Sequence, residues 1–155
     1  MKIQLINYTR NPEETVAQSA RVCYSAKSIR EIAEFTDRSA EKKLIKKIMR
    51  LGHFSVLEHV SFTFGIEDIS RVATHQLVRH RIASFSQRSQ RYVKVGKEQG
   101  YIIPPTIQNN RELLLKFQKQ LSNNHDLYQE MVEKDIPAED ARYILSQAIN
   151  TSIIF

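Results

Sequence analysis

The sequence contains a long basic stretch with no acidic residue to balance it. Residues 71–97 hold seven lysines and arginines and no aspartate or glutamate. Cations this close together repel one another, so the folded chain needs a compensating anion from elsewhere. Arginine is the preferred partner when that anion is a phosphate, because its planar guanidinium group donates two parallel hydrogen bonds. The stretch therefore predicts a site for a phosphate-rich ligand.

Length and composition favour one folded domain. The chain has 155 residues, of which 41% are hydrophobic and 26% charged, enough for a core without disulfides or metals. A single cysteine, Cys23, cannot form an internal disulfide and fits a reducing compartment. No run is long and apolar enough to cross a bilayer, and no signal-peptide pattern is visible. We therefore predict one domain over residues 1–155, located in the cytoplasm and without a membrane partner.

Hydrophobic periodicity predicts a mixed fold. Few strands and unevenly spaced helices favour an α+β fold with a small, mostly antiparallel sheet. Asn11 is a candidate N-cap for the helix that is predicted to begin there. Asp68 or Ser70 is a candidate N-cap for the helix predicted to begin at residue 71. Residues 84–92 lack a clean period and are predicted to form a loop. Strands are predicted at residues 2–8, 60–66 and 150–155, and helices at residues 11–22, 39–51, 71–83, 111–133 and 137–146.

The helix predicted over residues 71–83 cannot direct all of its basic side chains at one atom. Consecutive helical residues diverge by about 100° around the axis, which separates Arg79, His80 and Arg81. Gln76 shares a face with Arg79 and His80, being three and four residues away. This arrangement would serve two neighbouring ligands, or two parts of one large ligand.

The loop after this helix adds hydroxyl and amide groups close to an arginine. Ser86, Gln87, Ser89 and Arg91 supply the mixed donors that a phosphate ester and a base edge require. A nucleophilic Ser89 would need a base within hydrogen-bond reach. A serine that binds the phosphate of a substrate is the simpler interpretation, and both remain open.

Several motifs occur in the order and spacing of one known family. Arg-His-Arg at residues 79–81 is followed by seven residues and then by Ser89, which leads into Gln-Arg-Tyr. The flanking segments at residues 20–24, 52–64 and 140–145 also match. In this arrangement the chain resembles the flavin-dependent thymidylate synthases over nearly its whole length.

The resemblance implies a reaction and its cofactors. Members of this family methylate the uracil ring of dUMP to give dTMP, taking the carbon from methylenetetrahydrofolate and a hydride from reduced FAD. NADPH restores the reduced flavin, so the cofactors carry the difficult steps while the protein binds and orients. The resemblance also implies a homotetramer whose active sites are shared among subunits.

Roles for individual residues follow from the same resemblance. The catalytic group would comprise Ser89, Arg79 and His53, with His53 near the flavin and the folate. Residues that contact FAD would be Ser55, Glu58, Arg79, His80, Arg81 and Ile82. Residues that hold dUMP would be Gln76, Gln87, Ser89, Arg91 and Arg142. No metal site is expected, because paired cysteines, HExxH and compact carboxylate clusters are absent from the sequence.

One departure from the family and one alternative function remain. Family members continue beyond the equivalent of residue 155 into a region that contributes further flavin and dUMP contacts, so we expect residues 1–155 to bind flavin weakly and turn over poorly. The alternative is a nucleic-acid-binding module in which residues 71–97 contact phosphates while Phe85 and Tyr92 stack on bases. We consider nucleic acid the less favoured partner, because the basic residues cluster at one motif.

Overall fold

The computed structural model describes residues 1–155, which divide into two compact units. We call Leu5–Thr63 the N-terminal unit, and Met1–Gln4 with Phe64–Phe155 the C-terminal unit. The α-helices are α1 (Pro12–Val22), α2 (Ile29–Ala33), α3 (Arg38–Arg50), α4 (Arg71–Leu77), α5 (Pro105–Gln108), α6 (Arg111–Glu133) and α7 (Ala138–Ala141). The strands are β1 (Lys2–Tyr8), β2 (Phe62–Ser70), β3 (Ser86–Gln87) and β4 (Asn150–Ile154). Short 3-10 helices cover Phe54–His59, Lys97–Gln99 and Arg142–Ile144.

The four strands form one sheet in the order β1-β2-β4-β3, and β4 is antiparallel to both β2 and β3. The predicted α+β class with a small antiparallel sheet is therefore confirmed, while the single-domain assignment stays a prediction. A register shift between Ile66 and Ile69 forms a β-bulge in β2. Within it Asp68 adopts a left-handed backbone (φ 55) and accepts a hydrogen bond from the Asn150 side chain at 3.2 Å.

The core of the N-terminal unit lies where α1 packs against α3 and the Phe54–His59 turn. Small residues on α1 allow the close approach, since Ala17 and Ala20 are fully buried. The apolar stripe of α3 faces this core while its lysines face solvent, as the helical period predicts. The cluster consists of Val16, Ala20, Ile48 and Val56, flanked by Leu44, Ile45, Leu57 and Val60.

The C-terminal unit has two hydrophobic clusters. The first surrounds Tyr128 of α6, which is fully buried and packs with Val95, Ala141 and Ile149. The hydroxyl of Tyr128 accepts a hydrogen bond from the Val95 amide at 3.1 Å, so its polar end is satisfied. The second joins the sheet to α4 and the segment after it, through Ile66, Ile69 and Ile153 with Leu77, Phe85 and Phe155 at its edge.

The helix predicted over residues 71–83 is shorter than expected. Helix α4 ends at Leu77, and the Arg79 and His80 amides instead donate to carbonyls three residues earlier, at 3.2 and 3.1 Å. Ile82 then turns the chain with a left-handed backbone (φ 60). In a regular helix Arg79, His80 and Arg81 would lie within a single turn, with no acidic side chain to offset the two arginines. The argument from helical spacing therefore does not apply to His80 and Arg81.

Other boundaries also differ from the sequence-based prediction. The helix predicted over residues 137–146 consists of α7 followed by a 3-10 turn, and the predicted loop at residues 84–92 contains β3. Helix α2 was not predicted. Ser70 caps α4 by accepting from the Ala73 amide at 3.3 Å, whereas Asn11 makes no cap bond and its amide donates to Glu14.

Candidate functional site

Two arginines of the C-terminal unit, Arg71 and Arg142, have no carboxylate partner. Arg71 begins α4, is half-buried, and donates from Nη1 to the Arg88 carbonyl at 3.4 Å. Burial, and then the positive charge of Arg142, lower the pKa of Arg71. Neither guanidinium group forms a salt bridge, so positive charge is concentrated here. Such a surface favours an anionic ligand.

Glu139 holds two of the predicted substrate-binding arginines. Its carboxylate accepts from both Nε and Nη2 of Arg91 at 2.9 Å, and its backbone carbonyl accepts from Arg142 Nε at 3.0 Å. Both side chains of the Arg91–Glu139 pair are about half exposed, so solvent weakens the pair and an incoming anion can compete with it. Arg91 and Arg142 are thus brought together by a residue that the sequence analysis missed.

Ser89 lies beside Arg91, and its oxygen accepts a hydrogen bond from the Arg91 amide at 3.1 Å. No histidine, lysine or carboxylate is hydrogen-bonded to the Ser89 hydroxyl. This geometry favours a serine that donates to a ligand oxygen over an activated nucleophile, which requires a neighbouring base. The hydroxyl proton of Ser89 has no acceptor within the protein and can be donated to a ligand.

The predicted substrate residues Gln76 and Gln87 are held in different ways. Gln76 accepts from Arg79 Nη1 at 3.4 Å, and both side chains are exposed at the end of α4. Gln87 is half-buried and donates to the hydroxyl of Thr74 at 2.8 Å. Thr74 in turn donates to the Arg71 carbonyl at 3.0 Å, which ties β3 to the first turn of α4. The side-chain carbonyl oxygen of Gln87 remains available to a ligand.

The predicted flavin-contacting residues of this unit form an exposed turn. Arg79, His80, Arg81 and Ile82 are all exposed, and Ile82 has 84% of its surface accessible. Neither arginine forms a salt bridge. The turn therefore presents two guanidinium groups and an imidazole to solvent without a neutralising partner.

In the N-terminal unit, a cavity of about 370 Å³ lies at the end of α3 and the following turn. His53 and Ser55 line it, together with Tyr24 and Cys23. Tyr24 Oη and His53 Nδ1 are 2.8 Å apart, and the two rings stack at 6.4 Å with an interplanar angle of 7°. Glu58 lies on the same 3-10 turn as Ser55 but is exposed outside this cavity.

The structure removes part of the basis for a nucleic-acid-binding module. Phe85 stacks on Phe155 at 6.0 Å within the hydrophobic edge of the sheet, so it is not free to stack on a base. Tyr92 is 84% exposed, beside Arg91. No group of three or more histidine, cysteine, aspartate or glutamate side chains is arranged to hold a metal ion. None of the helices combines the length and apolar character that a bilayer crossing requires.

Comparison with known proteins identifies the family. The family model described as thymidylate synthase complementing protein (Thy1) matches residues 4–155. The flavin-dependent thymidylate synthase of Geobacter sulfurreducens is 47% identical over 155 residues, covering 99% of this chain and 67% of the relative. That of Pyrococcus furiosus is 42% identical over 157 residues, covering 99% and 64%.

A solved structure shows the same fold. The UMP/dUMP methylase PolB from Streptomyces cacaoi, crystallised with 5-Br dUMP, superposes with a TM-score of 0.84 over 99% of this chain and 70% of that chain, at 21% identity. The chain spans about two thirds of the length of the curated relatives described above. The motif order, the fold and the match over residues 4–155 agree, and the chain belongs to the Thy1 family of flavin-dependent thymidylate synthases.

Proposed function

We propose that this chain binds dUMP and FAD and contributes to the reductive methylation of dUMP to dTMP. The observation that carries the proposal is the group formed by Arg91, Arg142 and Ser89, in which Glu139 holds both arginines at 2.9 and 3.0 Å. The names of its relatives support this choice, as does the methylase of similar fold that was solved with 5-Br dUMP.

For dUMP, we assign the phosphate to Arg142, Arg91 and Ser89. A phosphate can replace the Glu139 carboxylate at Arg91, because both groups accept two parallel guanidinium hydrogen bonds. We assign the uracil ring to Gln76, Gln87 and Arg79, whose amides and guanidinium group match its carbonyl and N–H edge. A guanidinium group held at a uracil carbonyl stabilises negative charge that develops there during methylation.

For FAD, the donor set on the exposed turn fits the cofactor's chemistry. Arg81 lacks a salt-bridge partner and suits the pyrophosphate of FAD, while Arg79, His80 and the Ile82 backbone suit the polar edge of the flavin ring. In the N-terminal unit, Ser55 and Glu58 suit hydroxyl groups, and His53 presents an imidazole. When bound, reduced FAD supplies the hydride for the new methyl group. The chain's own residues bind, orient and polarise.

The remaining parts of the proposal follow the family. Methylenetetrahydrofolate would supply the carbon and NADPH the reducing equivalents, in a cytoplasmic homotetramer with shared active sites. His53 is assigned to the folate side of the reaction.

Flavin retention by an arginine variant tests the proposal. FAD is titrated into the 155-residue protein and into its Arg81→Ala variant, and binding is followed by visible absorption. We expect Arg81→Ala to lower flavin affinity by about tenfold or more, the value of a charge-assisted hydrogen bond. Its melting temperature without flavin should stay close to that of the parent protein, because the side chain is exposed.

Arg111→Ala is the matched control, since Arg111 is an exposed arginine at the start of α6 with no salt-bridge partner. It removes the same charge away from the assigned turn and should leave flavin retention unchanged. Equal flavin loss in both variants would show that net charge alone matters and would contradict the assignment of Arg81. A parent protein that retains no FAD and does not bind dUMP would overturn the proposed function of this chain.

A further inference from the structure

The C-terminal unit has a cavity of its own, and none of the residues assigned above to dUMP or FAD lines it. It has a volume of about 310 Å³ and is lined by α6 and the segment that precedes α5. Its apolar wall includes Ile103 and Leu121, and its polar groups come from Tyr101, Gln118 and His125. The volume lies at the lower end of the range for small-molecule sites, which suits one ring with one substituent.

The hydrogen bonds around His125 fix which ring nitrogen carries the proton. Gln129 donates from Nε2 to the Val95 carbonyl at 2.7 Å, and this nitrogen also lies 3.3 Å from His125 Nε2. An amide nitrogen can only donate, so His125 Nε2 must accept and the proton lies on Nδ1. Burial, and then the charge of Lys97, lower the pKa of His125, which keeps the ring neutral near pH 7.

His125 therefore carries a donor, the Nδ1–H group, that has no acceptor within the protein. The residue is 5% exposed, and its only hydrogen bond within the protein is made through Nε2. The Nδ1–H group belongs to a side chain that lines the cavity, so it is open to an acceptor that enters there. An acceptor inside the cavity would satisfy it.

The rest of the lining defines the charge of that acceptor. No aspartate or glutamate lines the cavity, whereas Lys97 does, and its ammonium group forms a salt bridge with Asp126 at 3.1 Å. Gln118 has no hydrogen-bond partner within the protein, so its amide adds a second free donor. Tyr101 donates to the Leu121 carbonyl at 3.4 Å and offers its ring as a flat wall.

We propose that this cavity binds a small aromatic carboxylate. The His125 Nδ1–H and the Gln118 amide donate to its carboxylate, Lys97 supplies the positive charge, and the ring lies against Ile103, Leu121 and Tyr101. The site is independent of the residues assigned to dUMP and FAD, so its ligand is neither of them.

Benzoate is the probe, titrated into the 155-residue protein and followed by the nitrogen and proton NMR signals of the His125 ring. We expect saturable shifts of those signals. The neutral isostere benzamide should bind about tenfold more weakly, since it lacks the charge that Lys97 meets. Shifts that never saturate, or equal affinity for benzamide, would overturn the carboxylate assignment.

Two substitutions of His125 distinguish the roles of its two ring nitrogens in ligand binding. Asn places an amide where Nδ1 lies, and Gln places one where Nε2 lies, so H125N keeps the proposed donor and H125Q loses it. Binding of benzoate to these variants is read from the Tyr101 ring signals. We expect H125Q to bind benzoate about tenfold more weakly than H125N. Equal affinities of the two folded variants would contradict the role of Nδ1.

A pair of glutamines on α6 provides a test that does not disturb the buried histidine. Gln118 and Gln120 are both exposed, but only Gln118 lines the cavity. Q118A should weaken benzoate binding severalfold, and Q120A should leave it unchanged. Equal effects of the two variants would show that benzoate does not occupy this cavity. Flavin retention should be unchanged in both, which separates this proposal from the proposed function.

Discussion

At the residue scale, one neighbouring side chain, Tyr24, determines which hydrogen bonds His53 can make. His53 is exposed, yet its Nδ1 lies 2.8 Å from the Tyr24 hydroxyl and its ring stacks on the Tyr24 ring. A phenol that donates to Nδ1 would fix the proton of a neutral imidazole on Nε2. Tyr24 then acts as a positioning residue that presents His53 as a hydrogen-bond donor.

Tyr24→Phe tests this positioning while keeping the ring stack. We expect the variant to populate both His53 tautomers, because only the hydroxyl selects between them, and to lower the free energy of unfolding by less than about 1 kcal/mol. Nitrogen-15 NMR of the histidine rings measures the tautomer ratio. Tyr143→Phe is the control, since Tyr143 is 86% exposed and makes no side-chain hydrogen bond. An unchanged ratio in Tyr24→Phe would show that Tyr24 does not select the tautomer.

The sequence analysis did not include Arg71 and Glu139 in the candidate site, and its own site residues stay predictions. The signal for Arg71 was present, because it begins the carboxylate-free stretch. Its burial and its closeness to Arg142 depend on tertiary folding, which local patterns do not encode. Glu139 reads locally as an acidic residue that favours a helix N-terminus, and only the fold shows that it holds Arg91.

At the scale of elements, one buried hydroxyl joins helix α4 to strand β3. Thr74 is fully buried, donates to the Arg71 carbonyl and accepts from the Gln87 side chain. Strand β3 has two residues and pairs only with β4, so it has little stability of its own. The position of Gln87 therefore depends on this contact.

Thr74→Val keeps the shape of the side chain and removes the hydroxyl. The half-buried Gln87 amide loses its acceptor, so we expect the free energy of unfolding to fall by about 1–3 kcal/mol and dUMP affinity to fall with it. Urea denaturation and a dUMP titration measure the two effects. Thr74→Ser retains the hydroxyl and should preserve dUMP binding; if both variants bind dUMP equally, Gln87 is not held by this bond.

Elements with a strong internal period were predictable, and those set by distant partners were not. The 23-residue helix α6 and strand β1 match their predicted bounds because their patterns are continuous. Helix α2 has a local signal that was overlooked, since Ser28 and Glu31 form a reciprocal capping box. The early end of α4 and the pairing of β3 with β4 depend on the turn at Ile82 and on contacts remote in the chain.

For the whole molecule, the buried His125 predicts a loss of stability in mild acid. Its pKa is lowered in the folded protein, so below about pH 6.5, the ordinary value for histidine, the unfolded chain takes up the proton first. Stability is then fully present above that pH and falls as the pH drops toward the lowered value. The charged groups that act on His125 are Lys97, Asp126 and Glu98.

Unfolding free energies between pH 7.5 and 5 measure this dependence. H125N removes the titrating group and should flatten the decline between about pH 6.5 and 5, relative to the parent protein. If the unfolding free energy of H125N declines as steeply as that of the parent protein, titratable groups other than His125 cause the decline. Benzoate at saturation should raise the stability of the parent protein across this range, because it binds only the folded state.

The pairing of Arg71 with Arg142 has a consequence for the lifetime of the protein. Two like charges held together by the fold store repulsion that a bound nucleotide releases, so the ligand is also a stabiliser. A ligand at one hundred times its Kd adds about 2.7 kcal/mol to the free energy of unfolding. Cells rich in the nucleotide would then keep more of the chain intact against proteases, and starved cells would clear it sooner.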